Sequence, residues 1–180
     1  MRKQILLTLG FASILAIFLS ANIWLDQILV KPFANQTQLD ELIGNPSIQN
    51  QQFEEITKQQ RTLVHVKQSL CLCNAYSNTH IQTLNVLADQ SLIQVIDVSL
   101  DALTQLQQSV QWQTLLALVP STPATVLINS QGKIEYIGPY SSGLTCNSGN
   151  SFIEGFLSQP EGDLPIANWI NTGCYCNTDS

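Results

Sequence analysis

The chain is short of charge, histidine and methionine. Charged residues make up 11% of its 180 positions, there are two histidines, and the single methionine is Met1. Seven Lys and Arg face thirteen Asp and Glu, for a net charge of −6. That balance excludes nucleic acid as a partner, because phosphate binding needs a basic surface. No internal repeat and no long low-complexity tract occurs. No nucleotide, flavin or haem motif is present, so no cofactor is expected. What the chain does have is one long apolar run at its start and five cysteines in its remainder.

The apolar run covers residues 5–25, ILLTLGFASILAIFLSANIWL, without a charge. As a helix it spans about 31 Å at ~1.5 Å per residue, which matches a hydrocarbon core of roughly 30 Å. Arg2 and Lys3 precede it and every Asp and Glu lies at or after Asp26. The positive-inside rule then places the N-terminus in the cytoplasm and everything after the run outside, on the periplasmic face of an inner membrane. Trp24 sits near the far end, where interfacial aromatics collect. A cleaved signal peptide is the competing reading, but the run is long for one and Ser20–Ala21–Asn22 is a poor cleavage site. No lipid-attachment cysteine follows, since the first cysteine is Cys71.

These features divide the chain into residues 1–28 as cytoplasmic stub and transmembrane anchor, 29–48 as linker, 49–158 as the folded domain, and 159–180 as an irregular tail. Within the linker a short helix is expected at 38–43. In the domain, helical patterns occur at 49–60, 73–89, 100–118 and 149–157. Short β-branched runs mark strands at 61–66, 92–98, 124–129 and 133–137. Ser130, Gln131 and Gly132 make a tight turn between the last two. The order α-β-α-β-α-β-β-α predicts an α/β fold: parallel strands joined by helices, an antiparallel hairpin at one edge, and helices on both faces of a mixed sheet.

The cysteines are Cys71, Cys73, Cys146, Cys174 and Cys176, four of them in two CxC pairs. Outside the cell disulfides persist, and the odd count leaves one thiol over in a monomer. Cys71 and Cys73 lie between a buried strand and the start of a helix. Unpaired N–H groups and the helix dipole favour an anion there, which lowers a thiol pKa and produces the nucleophilic thiolate. A structural disulfide, or two inert thiols at a helix start, is the alternative reading of the same pair.

The stretch RTLVHVKQSLCLCNAY resembles the strand–cysteine–helix unit of thioredoxin-like proteins. STPATVLINSQGKIEYIGPY resembles their later segment, a proline leading into a strand, a glycine turn and a second strand. The likeness runs from about Phe53 to Leu157, and it implies a thioredoxin-like three-layer sandwich. It also implies that Pro123, preceded by Thr122, is cis and lies opposite the cysteines, leaving the Thr122 backbone open to an extended substrate strand. The chain departs from the family in having CxC where the family has CxxC. A CxC disulfide closes a smaller, more strained ring and reduces more easily, favouring oxidant or isomerase character. The whole pattern, with the GPYSSG stretch, Cys146 and the GCYC tail, resembles membrane-anchored thioredoxin-like proteins of uncharacterised function.

Other residues complete the expectation. His65, six residues before Cys71, occupies the offset at which many thioredoxins carry a buried proton-handling acid. His80 shares a helical stripe with Cys73 but lies about 10.5 Å further along the axis, and reads as a hydrogen-bonded core histidine. Cys146 reads as a staple to a tail cysteine or as a resolving thiol, and the tail gains most from such a crosslink. Two functions follow. One is a membrane-tethered thiol–disulfide oxidoreductase in which Cys71 attacks, Cys73 resolves and Pro123 shapes the groove. Its partners would be exported protein thiols or disulfides and an unidentified redox partner. The other is a copper carrier using soft thiolates, with Cys146, a tail cysteine or His65 as third ligand. A third reading leaves the disulfides purely structural.

Overall fold

The computed structural model describes residues 2–104, 106–162 and 165–178. Helix α1 (Arg2–Leu29) runs straight into β1 (Val30–Pro32). Among the described residues no helix is long and apolar enough to cross a membrane. The side chains described in α1 are those at 10–24 and at 29, so residues 5–9 and 25 of the expected span lie outside them. The apolar side chains that are described, among them Phe11, Ile14, Ile17, Phe18, Ile23 and Trp24, are exposed around the whole helix.

Three short helices follow: α2 (Gln36–Leu42), α3 (Ser47–Asn50) and α4 (Glu54–Thr57). Asn35 starts α2 through a reciprocal capping box with Gln38, which satisfies two N–H groups that the helix itself leaves open. The helix expected over 49–60 shrinks to α4 because Lys58 and Gln59 take left-handed backbone angles, φ 50° and 64°. That conformation ends a helix.

The central sheet has the order β3 (Gln94–Ser99), β2 (Thr62–Lys67), β5 (Ala124–Ile128), β6 (Ile134–Gly138), β7 (Ile166–Ala167). Strand β2 (Thr62–Lys67) leads through α5 (Cys73–Gln90) to β3 (Gln94–Ser99), which lies parallel beside it. Strands β5 (Ala124–Ile128) and β6 (Ile134–Gly138) form the antiparallel hairpin. At its turn Gly132 has φ +81° and its carbonyl accepts from Phe53 N at 2.8 Å. The two-residue β4 (Ser121–Thr122) precedes β5, and helix α6 (Val110–Leu116) precedes β4. Helix α7 (Glu154–Leu157) follows the hairpin, and β7 (Ile166–Ala167), β8 (Thr172–Cys174) and β9 (Cys176–Asn177) lie in the tail. The structure is therefore the mixed α/β fold that the element order predicts.

Every residue of β5 is buried, as befits a strand with packing on both faces. Alternation along β2 divides the core. Val64 and Val66 join Trp112, Leu115, Val126 and Ile128 on one side of the sheet, and Leu63 joins Ile81, Leu84, Leu127 and Tyr136 on the other. Burying each of these large apolar side chains contributes about 1.5–3 kcal/mol.

Further sequence expectations change. The long helix over 100–118 becomes a 3-10 turn at Leu106–Gln108 followed by α6. Thr104 and Gln107 exchange side-chain-to-backbone bonds at 3.0 and 3.3 Å, and Ser109 is extended (φ −65°, ψ 160°), so the chain restarts there. Residues 29–48, read as a linker, place Phe33, Ala34 and Leu42 in the core. The tail, read as irregular, supplies strands to three sheets: β7 pairs with β6, β8 with β1, and β9 with β4. A buried Arg61–Glu135 pair at 2.7 Å fastens its beginning. Arg61 also donates to the carbonyls of Gln159 (2.8 Å) and Phe156 (3.0 Å), while Glu135 accepts from the Gly162 N–H.

Candidate functional site

Strand β2 ends at Lys67, and a tight loop delivers Cys71 and Cys73 to the head of α5. Cys71 N donates to Gln68 O at 3.0 Å, and the Asn74 amide donates to the same carbonyl at 2.7 Å. Ser69 N donates to the Asp101 carboxylate. These bonds hold the loop so that Cys71 precedes the helix and Cys73 is its first residue. The flanking Leu70 and Leu72 are exposed at 93% and 74%, leaving an apolar rim around a buried sulfur.

The tail brings the second CxC pair to the first. Tyr175 goes into the core, stacking edge-on against Phe33 at 5.0 Å and donating its hydroxyl to Ser141 O at 2.6 Å. Residues two apart in an extended chain share a face, so Cys174 and Cys176 turn the other way, towards the CxC. Cys71 is disulfide-bonded to Cys176 and Cys73 to Cys174. The sulfurs of Cys71, Cys73 and Cys176 all lie within 4.8 Å of one another. Cys71, Cys73 and Cys174 are buried, whereas Cys176 is half-buried.

The Thr122–Pro123 peptide bond is cis, as expected. Thr122 is fully buried, and its carbonyl oxygen lies 3.5 Å from Cys71 Sγ. The sulfur is in a disulfide and has no proton to give, so this is a contact that becomes a hydrogen bond only in the thiol. The Thr122 backbone is not open: β9 pairs antiparallel with β4, Thr122 opposite Cys176 and Ser121 opposite Asn177.

Cys71, Thr122 and Pro123 are thus brought together as the sequence suggests, but Cys71 and Cys73 are not bonded to each other. Cys146 is free and half-buried, so it is neither the staple nor bonded to the CxC. Burial pushes its thiol pKa up, against an opposing hydrogen bond from Ser141, which makes it a poor nucleophile. His65 is fully buried with both ring nitrogens engaged, Nδ1 with the Tyr140 hydroxyl at 2.7 Å and Nε2 with Asn85 Oδ1 at 2.8 Å. Burial lowers its pKa, with the Asn85 bond opposing, and neither nitrogen is left for a sulfur. His80 is the core histidine expected, bonded to Ser151 Oγ at 3.1 Å. The sequence reading missed the pairing of the two CxC motifs, although their identical spacing was the available signal.

The architecture defines a class: a mixed α/β domain whose strand–helix junction is crosslinked twice to its own C-terminal tail. The chain belongs to the family of the domain of unknown function DUF6436, whose model matches residues 43–178 and so includes all five cysteines. No curated protein and no solved structure matches the chain.

Proposed function

We propose that this protein is a membrane-tethered thiol–disulfide oxidoreductase of thioredoxin-like fold, acting on exported proteins through Cys71. The observation that carries the reading is the position of the Cys71 sulfur. It sits at the junction of β2 and α5, 3.5 Å from the carbonyl of Thr122 on an edge strand, and is already in a disulfide. A thiolate there gains from the open N–H groups of an 18-residue helix. Once β9 leaves β4, that strand offers backbone groups to an extended polypeptide. The exposed Leu70 and Leu72 suit an unfolded or apolar protein substrate.

A three-layer thioredoxin-like arrangement is supported by the parallel β2–α5–β3 unit and the β5–β6 hairpin beside it. The anchor is supported by α1. A helix with apolar side chains exposed all round is costly in water and natural in lipid, and Arg2 and Lys3 put its start in the cytoplasm. Because β1 follows α1 directly and pairs with β8, Val30 opposite Cys174, the anchor ends one strand away from the cysteines. In this reading the chemistry works close to the outer face of the tethering bilayer, within reach of a membrane-bound redox partner.

The test is turnover. The full chain in detergent should reduce or reshuffle a protein disulfide in the presence of a dithiol, and Cys71→Ala should abolish it. An unaltered rate in Cys71→Ala would end the reading. A second reading draws on one observation, the three sulfurs within 4.8 Å: in the reduced chain three thiolates so placed suit Cu(I). Retention of one copper per reduced chain through desalting, without disulfide turnover, would favour it. Carbonate extraction tests the anchor, which should keep the chain in the membrane pellet.

A further inference from the structure

The Cys71–Cys73 pair invites the assumption that the two neighbours work together. The connectivity divides the labour differently. Cys71 is joined to Cys176, which is half-buried and lies on β9, the last described strand. Cys73 is joined to Cys174, and both of these are buried, at 3% and 2% exposure. Cys174 lies on β8, held by pairing with β1 over Val30, Lys31 and Pro32. Tyr175 separates the two tail cysteines and is locked into the core. Everything up to Tyr175 is therefore fixed, whereas beyond it β9 is held by a two-residue pairing, by Thr178 against Val119 and Pro120, and by the Gln38 amide on Asn177.

We propose that Cys176 is the resolving thiol for Cys71, that Cys73–Cys174 is a permanent structural link, and that β9 occupies the substrate's own place on β4. The inference rests on the thiol–disulfide reading above. In the resting state β9 is paired with Thr122 and disulfide-linked to the nucleophile, as a substrate strand caught in mixed disulfide would be.

The cycle balances as follows. The thiolate of an external dithiol attacks Sγ of Cys176, the one disulfide-bonded cysteine that is not buried, and the Cys71–Cys176 bond breaks with Cys71 leaving as thiolate. The second thiol of the donor displaces Cys176, so the donor becomes a disulfide and the protein holds two thiols. Two electrons and two protons have moved. With β9 released, Thr122 is free to pair with a substrate strand. Cys71 attacks the substrate disulfide, forming a Cys71–substrate mixed disulfide and releasing one substrate thiolate. Cys176 returns with β9 and attacks Cys71 Sγ, which restores the crosslink and frees the second substrate thiolate. The Cys73–Cys174 bond neither forms nor breaks, and it keeps Cys176 within a few residues of its target throughout. An attacking thiol tethered by a short chain acts at an effective concentration on the order of millimolar, which makes resolution fast.

Two measurements on the full chain in detergent test this. First, one equivalent of dithiothreitol is added, thiols are alkylated, and the peptides are mapped without reduction. Labelled Cys71 and Cys176 with intact Cys73–Cys174 is the result expected, with faster amide exchange at residues 121–122 and 176–178. Opening of Cys73–Cys174 first, or a Cys71–Cys73 bond, overturns the proposal. Second, Cys176→Ser, pre-reduced and mixed with a disulfide-bonded protein, should accumulate the Cys71 mixed disulfide. The Cys73→Ser/Cys174→Ser pair should still turn over. Trapping by Cys73→Ser in place of Cys176→Ser would overturn the assignment while leaving the oxidoreductase reading standing. If no variant and no unaltered chain reacts with the substrate, the oxidoreductase reading itself fails. The partial-reduction map is read on the native chain, so it decides the proposal even if a variant misfolds.

Discussion

Consider removing the two crosslinks singly and together. Cys71–Cys176 and Cys73–Cys174 span 105 and 101 residues. In the chain-entropy treatment, closing one loop of about 100 residues contributes about 4.7 kcal/mol. The two loops are nested with their ends almost superimposed, however. Once one link is in place, the other closes only the small ring of residues 71–73 and 174–176. Six residues in the same treatment give about 2 kcal/mol. Replacing either pair by serine should then cost about 2 kcal/mol, and replacing both about 7 kcal/mol, a coupling of about 3 kcal/mol. Serine's own cost at these buried positions enters each limb equally and cancels from the coupling. The assay is urea unfolding of the full chain in mild detergent, followed by the fluorescence of the buried Trp112 and Trp169, with the slope checked for constancy. Additive losses would refute the reasoning, because they would mean that the links constrain independent loops. By the same arithmetic, the fold keeps most of its crosslink stabilisation when either disulfide alone is opened.

Three further outcomes are expected. Arg61→Met leaves Glu135 buried without its partner and should cost about 3–5 kcal/mol in chemical denaturation, whereas Arg61→Met with Glu135→Leu should cost clearly less; equal losses would refute the pairing argument. His65 and His80 both have pKa values lowered from 6.5, first of all by burial. The unfolded chain therefore binds protons that the folded one refuses, so their stabilisation is complete above about pH 6.5 and is lost as pH falls below it. Unfolding midpoints at pH 7.5 and pH 5 should show the fall, and His65→Gln should flatten it. At Gly132, φ is +81° and an added Cβ would stand 2.8 Å from Phe53 N, so Gly132→Ala should cost about 1–3 kcal/mol, read as a lower melting temperature.

The apolar periodicity and the β-branched runs were sufficient to place β2, α5, β3, β5 and β6. Their burial patterns repeat at short range, so each element is visible in its own residues even though β2 finds its strand partners about 30 and 60 residues away. The leucine stripe over 100–118 suits a helix equally well, but Thr104 and Gln107 bond each other's backbone and Ser109 is extended, so the helix is interrupted. Residues 29–48 and 159–180 looked like linker and tail because each is too short and too rich in Pro and Gly to carry a periodic signal. Their order comes from pairing with each other across 140 or so positions, β1 on β8, and from Phe33 meeting Tyr175.

The sequence by itself determined that this is an α/β domain, that Cys71 and Cys73 stand where a strand hands over to a helix, and that Thr122 and Pro123 lead into the neighbouring strand. Local pattern decides such things, because propensity, periodicity and turn chemistry act within a dozen residues. Which sulfur meets which is a long-range matter. Five cysteines allow many pairings of nearly equal local cost, and the choice is made only when Tyr175 is buried and β8 and β9 find β1 and β4. Only the tertiary structure, therefore, decided that the two CxC motifs face each other and that Cys146 is left alone.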